Sequence, residues 1–510
     1  MEKWNRKQEF LAVSLFFIIL VFGILFINGT ITCGLHLVDD HDFIQYDYEI
    51  RQEHKSIGEV MRGELEEDFV DRLRPLYYPI RVIQTYIFGT NLAVMSIFRG
   101  IEVVISCVVM YYIARKLNCN MKYSFAASLF VMAGPQSAVW WKLGPQELTA
   151  TWVWGLGILC LFWWRESGKK IYNILALFLF VFISLYKESY IMLFPTVMLA
   201  YLYFELQGKE VTAKSVWEAI KKNIFSLLTI LVVLVIELFI IVFVIGTDKT
   251  GYGGIDLGMS LYDYAKVLFN NLRLPLRVGQ YALFALGVIL LYRKNLKVIW
   301  EEKWKVFLAV VMIIPQMILY SKTGLEERYV IPWIYGVAYL FVVVVCQNEY
   351  LKDRKRVVYD VFLGILLAGN LLLVCREANY FTYRGHGITK MFEDTINMTD
   401  EDTVILTAFA PYDESEHTAS LLLDTKGIKD VYVYRDGKCT DWYGEGKGNT
   451  ISLDEIDIIL MYNFNDRHFI TEPDIDFGDF DINVYNTVRV AVRKGYLEER
   501  DVTVTTEPVL

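Results

Sequence analysis

Two adjacent carboxylates, Asp39 and Asp40, stand in the segment His36-Leu-Val-Asp39-Asp40-His41-Asp42, shortly after a long apolar run. Carboxylates this close repel one another, so at least one must find a cation, a metal or a proton. An Asp so placed can act as a general base, taking the proton of an acceptor hydroxyl while its oxygen attacks an activated carbon. A solvated acidic turn is the competing reading, and the motif alone balances the two. His36 and His41 flank the acids, but the spacing matches no established metal-ligand pattern, so both are read as hydrogen-bonded or solvent-facing. No cofactor is expected; a divalent metal is the less favoured alternative.

A second set of polar residues sits at the ends of apolar blocks, where each charge is costly unless it is used. These are Asp71-Arg72-Leu-Arg74-Pro75, Trp140-Trp141-Lys142-Leu-Gly-Pro-Gln146-Glu147, Lys187-Glu188 and Glu326-Glu327-Arg328-Tyr329-Val-Ile-Pro332. Several Arg and Lys residues facing one surface suit a phosphate or pyrophosphate, with Arg supplying bidentate geometry. Taken singly, each reads more readily as a snorkelling anchor paired with a local acid, as Lys187 with Glu188 or Arg328 with Glu327. Four such clusters on the side of the acid pair shift the balance. Trp140 and Trp141 suit a sugar face or, more commonly, an interfacial anchor. Within the blocks, Arg99 and Glu102 at i, i+3 read as a structural pair, and Glu237 is a lone carboxyl near the middle of a run.

The elements that must position these residues are membrane spans. Of the 510 residues 55% are hydrophobic, gathered in long blocks. Phe10 to Asn28 carries no charge and is long enough to cross a hydrocarbon core. It is too long for a signal peptide and lacks a clear cleavage site, so it reads as a retained first span. Ten more spans are expected near Leu92–Ala114, Tyr123–Trp140, Leu148–Trp164, Ile171–Tyr186, Tyr190–Phe204, Ile224–Ile245, Gly279–Tyr292, Val306–Tyr320, Tyr329–Cys346 and Val357–Cys375. Lys and Arg concentrate in alternate boundaries, from MEKWNRK through Arg115–Lys122, Arg165–Lys170, Lys209–Lys222 and Arg293–Lys305 to Lys352–Arg356. The other loops are acidic or balanced, which places the N-terminus in the cytoplasm and, after eleven crossings, the C-terminus outside.

The expected fold class is therefore an α-helical polytopic membrane protein with a small C-terminal α/β domain outside the membrane. Residues 1–378 form the transmembrane module, with a long first outer loop at 29–91 that carries surface-lying helices. Residues 384–510 form the second domain, with strands at Thr403–Ala408, Val431–Tyr434, Ile458–Tyr462 and Thr487–Val492 and a helix at Asp413–Asp424. No phosphate-binding glycine loop or metal spacing occurs in it. A net charge of −9 argues against nucleic acid as a partner. Seven cysteines show no disulfide framework, and Cys33 and Cys439 are read as unpaired.

In its order of features the sequence resembles the GT-C superfamily of membrane glycosyltransferases, which includes protein O-mannosyltransferases, aminoarabinose transferases and the oligosaccharyltransferase catalytic subunit. In that family a long outer loop opens with an acidic motif, here Asp39-Asp40, followed by surface helices, here about Ile57 to Ile87. A second loop carries a polar motif, here Gln146-Glu147, and a later span begins Arg-Tyr-x-x-Pro, here Arg328-Tyr329-Val-Ile-Pro332. The resemblance covers about residues 1–375. Asp-Asp-His-Asp replaces the usual Asp-Glu, and no Asp-x-Asp occurs in the second loop. The resemblance implies inverting transfer of a sugar from a polyprenyl-phosphate carrier to a glycan, lipid or protein acceptor at the outer face of a bacterial cytoplasmic membrane. Asp39 would be the base and Asp40 would orient it or the acceptor. Arg328, Lys187 and Arg74 would hold phosphate, with Tyr329, Gln146 and Glu147 lining the site. Two other readings are a lipid or polysaccharide transporter using Glu237, and an envelope polysaccharide polymerase.

Overall fold

The structure is a computed structural model and describes residues 5–37, 39–246, 258–277, 303–322, 327–346, 354–409, 413–441, 449–463 and 473–499. Its helices are α1 (Arg6–Ile27), α2 (Asp40–Arg51), α3 (Ile57–Asp71), α4 (Tyr77–Phe88), α5 (Leu92–Lys116), α6 (Met121–Met132), α7 (Glu147–Ser167), α8 (Lys170–Tyr186), α9 (Phe194–Leu206), α10 (Ala213–Lys222), α11 (Ile224–Phe239) and α12 (Leu261–Arg277). They continue with α13 (Lys303–Leu319), α14 (Ile331–Leu340), α15 (Arg354–Met398), α16 (Asp413–Asp424) and α17 (Tyr496–Glu499). The chain divides into two compact units. The first comprises Met1–Ile24, Met61–Ile80 and Phe98–Arg376, the second Leu25–Val60, Arg81–Ile97 and Glu377–Leu510.

The first unit is a bundle of apolar helices. Six described helical stretches are long and apolar enough to cross a membrane: Arg6–Ile27, Leu92–Lys116, Glu147–Ser167, Glu188–Leu206, Ile224–Gly246 and Arg356–Met398. Lys170–Tyr186 and Arg328–Val343 are shorter apolar helices. In α11 the side chains of Phe225, Leu228, Val232, Val235, Ile236 and Phe239 are exposed. An apolar face of that extent belongs in lipid and not in water. Small residues let the helices approach closely. A Cβ on Gly157 of α7 would meet the Phe180 ring of α8 at 2.7 Å, and one on Gly336 of α14 would meet the Ala309 carbonyl of α13 at 2.9 Å.

The third expected span is not one helix. α6 ends at Met132, Gly134 takes φ +131°, and a buried 3-10 turn runs over Pro135–Trp140. Proline has no N–H to continue the ladder, and Gln136 Nε2 instead donates to the freed carbonyls of Phe130, Val131 and Ala133 at 3.1, 3.1 and 3.0 Å. The sixth span likewise begins as a 3-10 turn, Glu188–Leu193, before α9. The eighth, Gly279–Tyr292, lies outside the described residues.

The second unit is built on a seven-stranded sheet of order β4-β3-β2-β1-β5-β7-β6. Its strands are β1 (Ile405–Ala408), β2 (Val431–Arg435), β3 (Lys438–Asp441), β4 (Thr450–Ile451), β5 (Ile458–Tyr462), β6 (Phe480–Tyr485) and β7 (Val488–Arg493). β2, β1 and β5 are parallel and the remaining pairs antiparallel. β1 and β5 are buried along their whole length, as central parallel strands must be when both faces are covered. On one face Ile405, Ile458 and Leu460 pack with Leu423 of α16, Ile388 and Met391 of α15, and Leu37 of the acidic loop. On the other, Leu406, Ile459 and Met461 pack with Ile456, Ile475 and Phe480. β3, β4 and β6, toward the two edges of the sheet, have no counterpart among the strands expected from the sequence.

Candidate functional site

The acidic motif belongs to the second unit. α2 starts at Asp40, and the residue before it, Asp39, has φ 60°, ψ 3° and makes no side-chain capping bond to the helix. Leu37 is left-handed as well, with φ 60°. Each such residue costs about 1–3 kcal/mol and persists only where its surroundings enforce it. The Asp40 carboxylate supplies part of that enforcement: its Oδ2 accepts the N–H of His36 and, at 3.1 Å, the N–H of Leu37. Arg81 of α4 supplies another part, donating from Nη2 to the Asp39 carbonyl at 3.1 Å and pairing with Asp42 Oδ2 at 2.9 Å. Its guanidinium lies 4.1 Å from the Phe43 ring centroid.

The two acids differ sharply in setting. Asp40 is buried, whereas Asp39 is partly open to solvent. Burial pushes the Asp40 carboxyl up to about 6, opposed by the N–H groups of His36 and Leu37 and reinforced by the charge of Asp39. His41 Nε2 is 3.1 Å from Asp42 Oδ1, and its ring stands 5.2 Å from that of His417 on α16. Burial, with His41 adding to it, holds His417 down at about 4. His36 stacks on Phe381 at 3.5 Å between centroids, with Nε2 3.4 Å from Cys33 Sγ. Among the described residues no group of three His, Cys, Asp or Glu side chains could hold a metal ion.

The cationic residues belong to the first unit. Lys187 Nζ is 3.4 Å from Glu147 Oε1 and 5.3 Å from the centroid of the Tyr329 ring. Arg328 Nη2 is 3.2 Å from the Tyr329 hydroxyl, and Tyr329 stacks on Tyr320 at 4.9 Å. Thus Lys187, Glu147, Arg328 and Tyr329, far apart in sequence, meet in one cluster. Lys187 reaches Glu147 of α7, a partner that spacing does not reveal, and the charges of Lys187 and Glu188 interact as well; the Glu327 side chain lies outside the described residues. Gln146 Oε1 is buried with no hydrogen bond among the described residues, and Glu147 Oε1, also buried, has the ion pair with Lys187 but no aligned hydrogen bond. Behind the cluster, Tyr190 and Tyr335 share a 2.8 Å hydroxyl contact, and Tyr335 donates to Thr151 Oγ1 at 2.8 Å.

Arg74 is placed differently. It is buried with Asp68, to which it donates from Nε and Nη2, and its Nη2 lies 3.2 Å from the Tyr78 hydroxyl. Arg99 pairs with Glu102 at 3.1 Å, as the spacing suggested, and also donates to the carbonyls of Lys142, at 3.1 Å, and Pro145. It therefore clamps the loop leading to Gln146-Glu147. Trp140 is fully buried and donates to the Met132 carbonyl at 2.7 Å, which removes it as a sugar platform or interfacial anchor. Trp141 is buried too. Glu237 accepts a hydrogen bond from Ser184 Oγ at 2.7 Å.

No family model and no curated protein matches the sequence. Among solved structures the chain is similar to ArnT from Cupriavidus metallidurans bound to undecaprenyl phosphate, with TM-score 0.50, 10% identity, and 94% of this chain and 98% of that one covered. The fold is GT-C-like. The Archaeoglobus fulgidus oligosaccharyltransferase in its apo form also matches, with TM-score 0.49, 12% identity, and coverage of 84% of this chain and 65% of that one.

Within this GT-C-like fold, sequence reasoning missed Arg81 and His417. Arg81 had a signal: it is the one charge in the helix YYPIRVIQTYIF, and a lone charge in an apolar helix is buried only where it is paired. His417 had none, since its role depends on α16 packing against α2.

Proposed function

We propose that the protein is a membrane glycosyltransferase that moves a sugar from a polyprenyl-phosphate carrier to an acceptor at the outer face of the cytoplasmic membrane, with inversion at the anomeric carbon. The observation that carries this reading is the acidic loop: two left-handed residues, Leu37 and Asp39, are held by their backbones, Leu37 through its N–H to Asp40 and Asp39 through its carbonyl to Arg81. Backbone strain so heavily supported marks a site where a side chain must be aimed. The fold likeness to ArnT, which was solved with undecaprenyl phosphate, supports the choice of carrier.

Asp39 is the base in this reading because the residue is partly exposed and its side chain makes no capping bond, while the carboxylate of Asp40 is committed to the backbone. Asp39 takes the acceptor's hydroxyl proton, the acceptor oxygen bonds to the anomeric carbon, and the bond from that carbon to the phosphate oxygen breaks with its electron pair. The phosphate departs as an anion and needs no general acid. Arg328 and Lys187 are the first candidates to stabilise it, Arg74 the third, and Gln146 and Glu147 have acceptor oxygens for sugar hydroxyls. The N-terminus is cytoplasmic and the C-terminal domain extracytoplasmic in this reading, following the Lys and Arg bias of the loops.

The test is sugar transfer in reconstituted vesicles given a panel of polyprenyl-phosphate sugars and candidate acceptors. Carrier consumption and acceptor labelling should fall by about 10²–10⁴ in Asp39→Asn at matched protein. Movement of the carrier across the bilayer without cleavage would replace this reading with a transporter.

A further inference from the structure

The sheet of the second unit reverses its strand order at the place where doubly wound folds hold ligands. The chain leaves β1 through α16 to reach β2 on one side, while β5 pairs with β1 on the other, so the strand order reverses at β1. In such sheets ligands lie beyond the carboxyl ends of the strands at that switch point. Here Phe409 directly follows β1 and Tyr462 ends β5, their rings 5.1 Å apart, and Ser415 stands in the first turn of α16. A segment of the chain itself uses this position. Ser415 Oγ donates to the carbonyl of Leu37 at 2.9 Å and lies 2.6 Å from the Tyr462 hydroxyl, which is 3.2 Å from Arg384 Nη2. The Leu37 side chain is fully buried in the domain core, and Leu35 N–H donates to Thr389 Oγ1 at 2.9 Å.

We propose that the C-terminal α/β domain is a positioning device for the acidic loop, with Ser415 and Tyr462 as positioning residues that fix Leu37 and, through it, Asp40 and Asp39. The chain of contacts is continuous. Tyr462 orients Ser415, Ser415 holds the Leu37 carbonyl, the N–H of Leu37 meets Asp40, and Asp40 is bonded in sequence to Asp39. The switch-point position thus serves the transferase itself, and a domain that could pass for an acceptor-binding accessory becomes part of the catalytic support. The consequence for turnover rests on the glycosyltransferase reading above; the contact does not. The charged and titratable groups about Asp40 are Asp39 and His41 in its own turn and Cys33 in the preceding loop. Arg81 of α4, Asp42, and His417 of α16 surround that turn.

The test uses the full-length protein in vesicles with a polyprenyl-phosphate sugar as donor, and hydrogen exchange on the same preparation. Ser415→Ala and Tyr462→Phe should each speed exchange of segment 33–42 and leave β1, β5 and β7 unchanged. Both should lower kcat about tenfold with KM for the donor within about twofold. The acid limb of kcat should move to higher pH, because Asp40 loses an aligned N–H and holds its proton longer. Ser415→Thr keeps the hydroxyl and should restore turnover. Unchanged exchange and kcat in both variants overturn the proposal. So does faster exchange across the whole sheet in both, since the hydroxyls would then hold the domain and not the loop. Faster exchange of 33–42 alone supports the positioning contact even where Asp39→Asn keeps full activity, an outcome that removes only the glycosyltransferase reading.

Discussion

Arg81 Nη2 lies 2.9 Å from Asp42 Oδ2, and the Arg81 side chain is 2% exposed. A cation so buried is tolerable only with its counter-charge, and here it also carries the Asp39 carbonyl. Arg81→Gln should therefore lower unfolding stability by about 3 kcal/mol, because Asp42, largely buried, loses its guanidinium counter-charge and keeps the His41 ring. Thermal unfolding in detergent measures this, and Arg81→Gln with Asp42→Asn should recover part of the loss. Additive losses in the double variant would mean that the two groups do not act as a pair.

The carboxyl of Asp40 gives the proposed sugar transfer a pH signature. Its folded value is about 6 against an ordinary 3.8, burial being the first cause. The folded protein thus keeps this proton to higher pH than the unfolded chain does. From Asp40 alone, stability falls as pH rises from about 4 to about 6, the window in which only the unfolded state has released the proton. Turnover runs the other way. The charged carboxylate best accepts the two N–H bonds that shape the loop, so kcat should rise through a limb near pH 6. Asp40→Asn should flatten that limb at a lower plateau; a limb that survives in this variant would belong to another group.

Much of this was legible in the sequence. The apolar blocks located α1, α5, α7, α8, α9, α11, α13 and α14 to within a few residues, and α16 begins and ends where Pro411 and the apolar pattern put it, but α15 runs on to Met398, well past the expected end at Cys375. The acid pair, Lys187, Glu147, Arg328 and Tyr329 stood out because charge at the end of an apolar run is costly. The break after Met132 was hidden because Ala133, Gly134 and Pro135 leave the block apolar, and hydropathy does not register a lost N–H. Partnerships were illegible for a related reason. Lys187 could be matched by rule only to its neighbour, while its partner Glu147 is set by how helices stack. Leu37 reads as an ordinary apolar residue, and its left-handed backbone and its seat in the sheet domain arise only in three dimensions.

Arg99 holds a loop by its fork of donors, and that makes its replacement informative. Its guanidinium serves Glu102 and the carbonyls of Lys142 and Pro145 together, which a lysine's single ammonium cannot reproduce. Glu102 keeps Thr149 Oγ1 and Trp152 Nε1 as donors, so the carboxylate is not abandoned. Arg99→Lys should hence loosen the 142–147 loop more than it unfolds the bundle. Limited trypsin digestion should cut after Lys142 several times faster in the variant, with a small change in melting temperature. Equal cutting rates would show that the loop is held by other contacts.

The three candidate phosphate cations should separate by experiment. Arg74 is already engaged by Asp68 in a buried, charge-assisted pair, so Arg74→Gln should cost mainly stability, about 3–5 kcal/mol, with Asp68 left uncompensated. Arg328 is only partly buried and lies against Tyr329, a placement from which its fork can turn to a ligand. Arg328→Gln should then weaken binding of a polyprenyl phosphate by about tenfold with little change in melting temperature. Lys187 lies between these cases, since a phosphate would compete with Glu147 for its ammonium. Glu147→Gln should accordingly tighten phosphate binding while lowering transfer, provided Glu147 also orients the sugar. Titrating the purified variants with polyprenyl phosphate distinguishes the three. Equal losses of affinity in Arg74→Gln and Arg328→Gln would return Arg74 to the phosphate-binding set.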